Sequence, residues 1–212
     1  MLQEMFSELN NYLITIPQKV ELSKINEKEK ELDLIIPEGM KDFYEYYGND
    51  DSILNAFYIF DELDNVCIEK NALTFGYTHQ KINRLGITFE RLNSKFQSIG
   101  FFSEELHDWF SEGAVFPESF FFNIAGWQVL NLLPAIVKVE LKNDEFDKLC
   151  QKKFEFFNTD KKYVRGYKII ACKCNEILGC YLREDEEFYL GAQEDELLEN
   201  LEKELEMDFD WL

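Results

Sequence analysis

The sequence predicts an α+β domain in which a mostly antiparallel sheet is flanked by helices. Helical and strand-like patterns come in blocks rather than in strict alternation, which argues against repeating βαβ units. Two strand-like runs, Leu73–Tyr77 and Ile82–Ile87, are separated by a connection short enough for a hairpin. With 46% hydrophobic and 16% aromatic residues, the 212-residue chain has enough apolar material for a core. Neither an internal repeat nor a break in composition divides it, so we expect one domain over residues 1–212.

Apolar residues at helical spacing predict three helices in the first 50 residues. They cover residues 2 to 13, Val20 to Leu32, and a segment that begins after Ile36-Pro37 and ends at Gly48. Proline suits a first helical turn because its missing N–H has no partner to lose there. The third helix carries an aromatic stripe that we interpret as core, with a ligand platform as the alternative: Met40, Phe43, Tyr44 and Tyr47.

The middle of the chain is predicted to mix strands and helices. Asn55 to Phe60 is rich in strand formers, and residues 61–65 form a turn or short helix before the hairpin. Phe101 to Ser111 is predicted as a helix that has Ser103 as its N-cap, acids in its first turn and Gly113 after its end. Pro117 to Leu133 is the most apolar helix, and a helix apolar nearly all round is expected to be buried or paired.

The C-terminal third is predicted to contain four strands and two helices. A strand over Ala135–Leu141 and a helix over Asn143–Phe154 precede three consecutive strands, Tyr167–Cys174, Ile177–Leu182 and Glu187–Leu190. Cys172 and Cys174 alternate within a strand, so we expect them to face the same side of the sheet. A leucine-striped helix, Glu194–Met207, follows.

Charge limits the classes of partner. There are 42 acidic and 22 basic residues, a formal net charge of −20. Nucleic acid is therefore excluded as an expected partner because phosphate binding needs clustered Lys and Arg, and anionic membranes are disfavoured for the same reason. A basic protein would be attracted, although solubility alone is an equally good explanation of the charge. From Glu176 onward only Arg183 and Lys203 oppose the acids, which predicts a strongly negative C-terminal face.

No catalytic or cofactor-binding motif is visible. The sequence lacks a G-x-S-x-G elbow, a phosphate-binding loop, an H-E-x-x-H pair and a G-x-G-x-x-G turn. The two histidines, His79 and His107, are expected to have structural or surface roles. We therefore predict no catalytic residues, no cofactor and no metal site, and a protein that is not an enzyme. A carboxylate-based hydrolase is kept as a remote alternative, because paired acids are abundant.

The cysteines and the first residues indicate a cytoplasmic protein. Five cysteines, an odd number without a C-x-x-C pair, are expected to be free thiols in a reducing compartment. We find no secretory signal after Met1 and no apolar window of about 18 residues that would span a membrane.

Several short motifs, in their order, resemble the SUKH superfamily. These are Ile25-Asn-Glu-Lys-Glu29, Leu34-Ile-Ile-Pro37, Leu73-Thr-Phe75, His79-Gln80, Leu85-Gly-Ile87, Trp127-Gln-Val-Leu130 and Tyr189-Leu-Gly-Ala192. Thr78 stands where the superfamily usually has glutamate, and Leu85 where it usually has tryptophan. The similarity covers roughly residues 20 to 212 and leaves residues 1–19 as an N-terminal extension.

The resemblance implies a SUKH-like α+β domain that binds another protein without catalysis. Many bacterial members of the superfamily are immunity proteins. The partner implied for them is a toxin, often a nuclease, which the immunity protein neutralises in the cytoplasm. The alternative is a regulatory or scaffold module like the fungal glucan-synthesis regulator, which acts on cell wall synthesis. The oligomeric state stays open. The candidate partner-binding residues are Asp61, Glu62, Asp64, Glu184, Asp185, Glu186 and Glu187, with Tyr44 and Tyr47 as aromatic contacts.

Overall fold

A computed structural model describes residues 2–94, 97–111, 116–157 and 168–212. In these ranges it contains eight α-helices and two antiparallel sheets, which confirms the predicted α+β class. The helices are α1 (Leu2–Leu9), α2 (Leu22–Leu32), α3 (Glu38–Tyr47), α4 (Asp51–Leu54), α5 (Phe89–Leu92), α6 (Pro117–Leu130), α7 (Asn143–Lys152) and α8 (Asp195–Leu205).

The strands form two separate sheets rather than the single sheet that the sequence suggested. In chain order they are β1 (Ile59–Phe60), β2 (Cys67–Glu69), β3 (Ala72–Tyr77), β4 (Arg84–Thr88), β5 (Gly100–Ser103), β6 (Asp108–Ser111), β7 (Ala135–Glu140), β8 (Glu155–Phe156), β9 (Ile169–Cys174), β10 (Ile177–Leu182), β11 (Glu187–Ala192) and β12 (Asp210–Trp211). The first sheet has the order β1-β3-β4-β5-β6, and β2 also pairs with β3. The second has the order β12-β7-β11-β10-β9-β8.

Helix α6 is the centre of the main core. The rings of Phe120 and Phe121 in this helix contact the ring of Phe75 in the first sheet, with centroid-to-centroid distances of 6.1 and 5.0 Å. Its other neighbours include β9, β10 and β11 of the second sheet. Thirteen of its fourteen residues are buried, as expected for a helix with so few polar positions. The chain therefore places α6 between the two sheets.

Both faces of the second sheet are covered. One face meets α6, and the other packs against α7 and α8 in a second apolar cluster that contains Phe146 and Leu198. Cys172 and Cys174 both belong to that second cluster, which confirms that they face the same side. All five cysteines are free.

The predicted helix over residues 101–111 is wrong: this segment is the β5–β6 hairpin. Phe101 pairs with Phe110 and Phe102 pairs with Trp109, and the rings of each pair contact each other at 5.6 and 5.5 Å. Residues 104–107, whose two acids resembled a first helical turn, form the connecting turn instead. Ser103 and the acids after it favour the start of a helix, but the aromatic pairs across the two strands stabilise the hairpin more. The spacing of residues along one strand does not reveal such pairs. Gly113, the expected helix end, lies outside the described residues.

Smaller differences concern the ends of elements. The expected strand over Asn55–Phe60 is limited to β1, because the backbone of residues 57 and 58 bonds to a side chain of α6 rather than to a strand. The strand predicted from Ile82 begins at Arg84, and Ile82 is exposed. The predicted β3–β4 hairpin is confirmed by antiparallel pairing from Ala72↔Thr88 to Tyr77↔Arg84. The predicted strand start at Tyr167 lies outside the described residues.

Candidate partner-binding surface

Glu184, Asp185 and Glu186 lie in the turn between β10 and β11, and Glu187 is the first residue of β11. Three of these four acids have partners. Glu184 pairs with Lys168 at 2.9 Å, and the Glu186 carboxylate accepts a hydrogen bond from Asn143 Nδ2 at 3.1 Å. Glu187 pairs with Lys138 at 2.9 Å and accepts from the Tyr189 hydroxyl at 2.7 Å. These two donors hold the pKa of Glu187 below its ordinary value. Among the described contacts Asp185 has neither an ion pair nor a hydrogen bond.

Asp61 is part of a buried polar cluster rather than a free surface acid. Its carboxylate lies 2.6 Å from Arg84 Nη1, and Arg84 also donates to Thr74 Oγ1 at 2.9 Å. Burial raises the pKa of Asp61, and the positive charge of Arg84 opposes that rise. Glu62 and Asp64 are exposed, and Lys28 donates to the backbone oxygen of Asp64 at 2.8 Å. Of the three acids in residues 61–64, only Glu62 and Asp64 are therefore available to a partner.

The prediction that Tyr44 and Tyr47 contact a partner at the surface is wrong, because neither side chain is exposed in this structure. Their hydroxyls donate to the backbone oxygens of Asp61 and Phe6 at 2.8 and 3.3 Å. Burial raises the pKa of both phenols. The α3 stripe packs into the core against α1 and α6, which confirms the interpretation of the stripe as core.

Exposed acids are densest along the C-terminal segment of the chain. Residues 176–212 carry fourteen acidic and two basic side chains, and twelve of the fourteen acids are exposed. Glu204 pairs with Lys153 at 2.7 Å and Glu199 lies 3.7 Å from Lys203. Most of this charge is therefore uncompensated by nearby described bases. We call the exposed acids of this segment the acidic face. It extends over both ends of β10, with Glu176 before Ile177 and residues 184–186 after Leu182. Along α8 and the residues next to it, its exposed acids are Glu194, Asp195, Glu196, Glu199, Glu204, Glu206, Asp208 and Asp210.

A second feature, which the sequence did not reveal, is a row of four rings that we call the aromatic strip. His79 stacks on Phe57 with centroids 4.4 Å apart, and Phe57 meets the edge of Trp127 at 5.4 Å. Trp127 in turn meets Tyr189 of β11 at 4.9 Å. His79 is exposed, while Phe57 and Tyr189 are half-buried. The strip thus joins residues next to the first sheet to the second sheet and reaches Glu187 through the Tyr189 hydroxyl.

The backbone beside the strip is fixed by Gln128, a fully buried residue of α6. Its Oε1 accepts from the N–H groups of Phe57 and Tyr58 at 3.0 and 2.9 Å. Its Nε2 donates to the backbone oxygens of Ile53 and Tyr58 at 2.6 and 2.8 Å. The preceding residue, Trp127, is only 4% exposed, and its Nε1–H is buried without a hydrogen-bond partner among the described residues.

A cleft of about 510 Å³ opens between the N-terminal segment, the β9–β10 turn and the start of α8. Its two lysines are already paired, Lys173 with Glu8 and Lys153 with Glu204. The Tyr12 hydroxyl donates to the Asn175 oxygen at 3.2 Å across this cleft. The cleft borders the acidic face; its remaining acidic lining residues are Glu155, Glu176 and Glu194.

The nine residues predicted to bind a partner are spread over separate parts of the fold. Tyr44 and Tyr47 are buried in the core, the acids of 61–64 lie next to the first sheet, and those of 184–187 lie at the β10–β11 turn and the start of β11 in the second sheet. No described ion pair or hydrogen bond joins the two groups of acids. No group of three or more His, Cys, Asp or Glu in the described ranges could hold a metal ion. None of the described helices is long and apolar enough to cross a membrane.

No family model, curated protein or solved structure matches this chain. The resemblance to the SUKH superfamily therefore rests on the order of the sequence motifs alone.

Proposed function

We propose that this chain is a non-catalytic immunity protein that binds and neutralises a basic bacterial toxin through its acidic face. The observation that carries the proposal is the concentration of exposed acids in residues 176–212, where fourteen acidic side chains are opposed by two basic ones. A surface of one charge sign steers an oppositely charged protein into contact and repels anionic competitors. A nuclease toxin is the expected class, because its substrate cleft must be basic to bind nucleic acid.

The positions of the acids support binding rather than a purely structural role. Acids that stabilise this fold have bases beside them, as Asp61 has Arg84 and Glu187 has Lys138. By contrast, Glu206 and Asp208 are exposed and have no described ion pair. Repulsion among such groups destabilises the folded state unless a partner neutralises it. The order of the SUKH-like motifs is a second, independent support.

Co-expression with the toxin encoded beside the gene tests the proposal directly. We expect growth rescue and a complex that co-purifies at low ionic strength. We also expect its association rate to fall steeply as salt is added, because charge steering is screened over roughly 10 Å at 0.1 M salt. An absence of both rescue and complex would overturn the proposal.

A charge-matched pair of variants then locates the interface. The first replaces Glu199, Glu206, Asp208 and Asp210 by their amides, and the control does the same at four exposed acids elsewhere: Glu27, Glu90, Glu105 and Asp147. Both variants have the same net charge. We expect the first to weaken binding by about 10- to 100-fold and the control by less than about threefold. Equal effects would show that net charge, not this face, drives association.

A regulatory or scaffold module remains the alternative. It predicts the same acidic interface but a partner that is a housekeeping protein, and it predicts no rescue from any toxin. The co-expression experiment therefore separates it from the immunity role.

A further inference from the structure

We propose that the cleft beside α8 is the pocket in which the partner protein buries an arginine side chain. This inference rests on the proposed function, since it names a contact that a basic toxin makes with the acidic face. The cleft lies at the end of the second sheet that carries the β9–β10 turn, between the N-terminal segment and the start of α8. The chemistry that it recognises is a guanidinium group on an aliphatic chain.

The size of the cleft is the first reason. Its volume of about 510 Å³ is within the range of sites that hold a ligand, roughly 300 to 1,000 Å³. A second hollow of about 140 Å³ adjoins it and shares Cys174, Glu176 and Leu197 with it. This hollow continues along α8 to Glu204. The combined groove can therefore accept a long side chain together with part of the backbone that carries it.

The sheltered part of the lining, which is apolar, is the second reason. Tyr12 and Cys174 are each 6% exposed, and Leu197 of α8 is half-buried. The methylene groups of an arginine can pack on such a surface while the guanidinium group reaches charged groups farther out. A compact inorganic cation has no aliphatic stem, so this part of the cleft favours an amino-acid side chain.

The charge of the lining is the third reason and identifies a cationic ligand. Lys173 pairs with Glu8, and Lys153 pairs with Glu204 at 2.7 Å. Three more carboxylates line the cleft, are exposed and have no ion pair or hydrogen bond among the described contacts: Glu155, Glu176 and Glu194. An anion would meet lysines that are already neutralised, whereas a cation meets carboxylates that are free.

The arrangement of these three carboxylates favours arginine over lysine. Glu155 belongs to β8, Glu176 to the β9–β10 turn, and Glu194 directly precedes α8. They therefore reach the cleft from different elements. A guanidinium group has five N–H donors spread around a plane and can bond to several carboxylates at once, whereas an ammonium group is a compact point charge.

Exposed apolar residues next to the cleft indicate that the arginine belongs to a protein. Ile14 and Ile16 follow Tyr12 by two and four positions, and they are 81 and 89% exposed. Covering such side chains is favourable because it removes apolar surface from water. A protein segment that continues out of the cleft along residues 13–16 can cover both, whereas a free amino acid is too small to do so.

Arginine binding can be measured by NMR on the free protein. The probe is N-acetyl-arginine methylamide, and the control probe is its uncharged citrulline analogue at the same ionic strength. We expect saturable shifts of the side-chain amide signals of Asn11 and Gln193, which line the cleft, and an unmoved indole signal of Trp109 in the first sheet. The citrulline analogue should bind at least about fivefold more weakly. Equal binding of both probes, or no saturation by about 10 mM of the arginine probe, would overturn the assignment.

A charge-matched pair of variants locates the guanidinium group. The first variant carries Glu155→Gln, Glu176→Gln and Glu194→Gln, and the control carries the same change at three exposed acids elsewhere: Glu27, Glu90 and Glu105. The Glu194 side chain makes no capping hydrogen bond to α8, so its amide leaves the helix intact. We expect the first variant to bind the arginine probe at least about tenfold more weakly and the control less than about twofold. An equal loss in both would contradict the pocket.

A variant that fills the cleft without changing its charge separates this inference from the proposed function. Leu197→Trp adds a bulky ring at a residue that lines both hollows, and Leu106→Trp, at an exposed apolar residue in the β5–β6 turn, is the control. We expect only Leu197→Trp to weaken toxin binding, by about tenfold. Thermal denaturation establishes that each variant is folded; if Leu197→Trp is not, the surface glutamine variants make the same comparison on the toxin.

The outcomes for the pocket and for the function differ. Full toxin binding by a folded Leu197→Trp variant would remove the pocket and leave the acidic face as the interface. Saturable arginine binding in a protein that neither rescues from the toxin nor binds it would support the pocket and remove the immunity role.

Discussion

The side chain of Gln128 and the backbone of Tyr58 form two hydrogen bonds with each other. Gln128 Oε1 accepts from the Tyr58 N–H at 2.9 Å, and Gln128 Nε2 donates to the Tyr58 oxygen at 2.8 Å. The amide thus supplies the donor and the acceptor that a neighbouring strand would give, seventy positions away in the chain. A helix residue here completes the hydrogen bonding of a segment that enters the first sheet.

Replacing Gln128 by Met keeps the side-chain volume similar and removes all four hydrogen bonds. The buried backbone oxygen of Ile53 and the partly buried backbone groups of Phe57 and Tyr58 then lose these partners. We therefore expect a loss of at least about 3 kcal/mol of unfolding free energy. Urea denaturation measures it. Gln151→Met, at an exposed position of α7, is the matched control and should change stability by less than about 0.5 kcal/mol. A loss below about 1 kcal/mol for Gln128→Met would contradict the role assigned to this amide.

Asp42 makes the stability depend on pH. Burial, then the nearby charges of Glu38 and Glu45, raise its pKa from 3.8 to about 6, and a hydrogen bond from Gln3 limits the rise. Because the folded-state pKa lies above the unfolded value, the native state binds this proton more tightly. Stability is therefore lost as pH rises from about 4 through about 6.

Asp42→Asn should remove that dependence. At about pH 7.5 we expect the variant to be more stable by about 2 kcal/mol, and at about pH 5 the gain should be roughly halved. Thermal denaturation at both pH values measures this, with Asp147→Asn on the exposed face of α7 as control. A gain that is the same at both pH values would show that Asp42 is not the titrating group.

The ion pair between Arg84 and Asp61 is expected to matter more than any surface pair. Arg84→Met leaves the partly buried carboxylate of Asp61 and the hydroxyl of Thr74 without this donor, which should cost about 3–5 kcal/mol. Adding Asp61→Leu should restore part of the loss, giving a coupling of at least about 1 kcal/mol in a double-mutant cycle. Glu69→Gln, in contrast, should cost less than about 1 kcal/mol, because Glu69 is more exposed and lies 3.5 Å from Arg84 Nε. Additive effects of Arg84→Met and Asp61→Leu would refute the pairing.

Gly86 is required by the ring of Trp109. A Cβ at this position would lie 2.6 Å from an atom of that indole and 2.8 Å from the Leu73 oxygen. We expect Gly86→Ala to destabilise the protein by about 2 kcal/mol, since such a contact forces the β5–β6 hairpin or the strand backbone to shift. Trp109→Leu in the same chain should lower the additional cost of the alanine. If Gly86→Ala costs the same in both backgrounds, the close approach of β3, not the indole, is the constraint.

The sequence was informative where one physical effect dominated. Helix α6 was predicted because a run from Pro117 with almost no polar residues can only be buried. The β3–β4 and β9–β10–β11 strands were predicted because their alternation and short connections agree. The β5–β6 hairpin was missed because Ser103 and the following acids satisfy local capping rules, whereas the Phe101–Phe110 and Phe102–Trp109 pairs exist only after the strands meet.

The candidate site was less predictable because contacts between distant residues decide which groups are free. An aspartate such as Asp61 is expected at the surface, but it forms an ion pair with Arg84, which lies twenty-three positions later in the chain. Tyr44 and Tyr47 form a stripe whose period cannot show whether it faces solvent or core. The sequence does contain one signal of such contacts. A glutamine and an asparagine within an apolar helix need buried hydrogen-bond partners, so Gln128 and Asn123 predict polar contacts to α6 without identifying the segments that make them.

Those two amides also have a consequence for how the chain folds. Asn123 bonds to Ala171, forty-eight positions later, and Gln128 to Tyr58, seventy positions earlier. The hydrogen bonds of the central helix are thus complete only after contacts with long sequence separations have formed on both sides. Long-range closure of this kind slows folding. Both sheets should therefore lose protection from amide hydrogen exchange in one common opening event, with no stable half-folded form between.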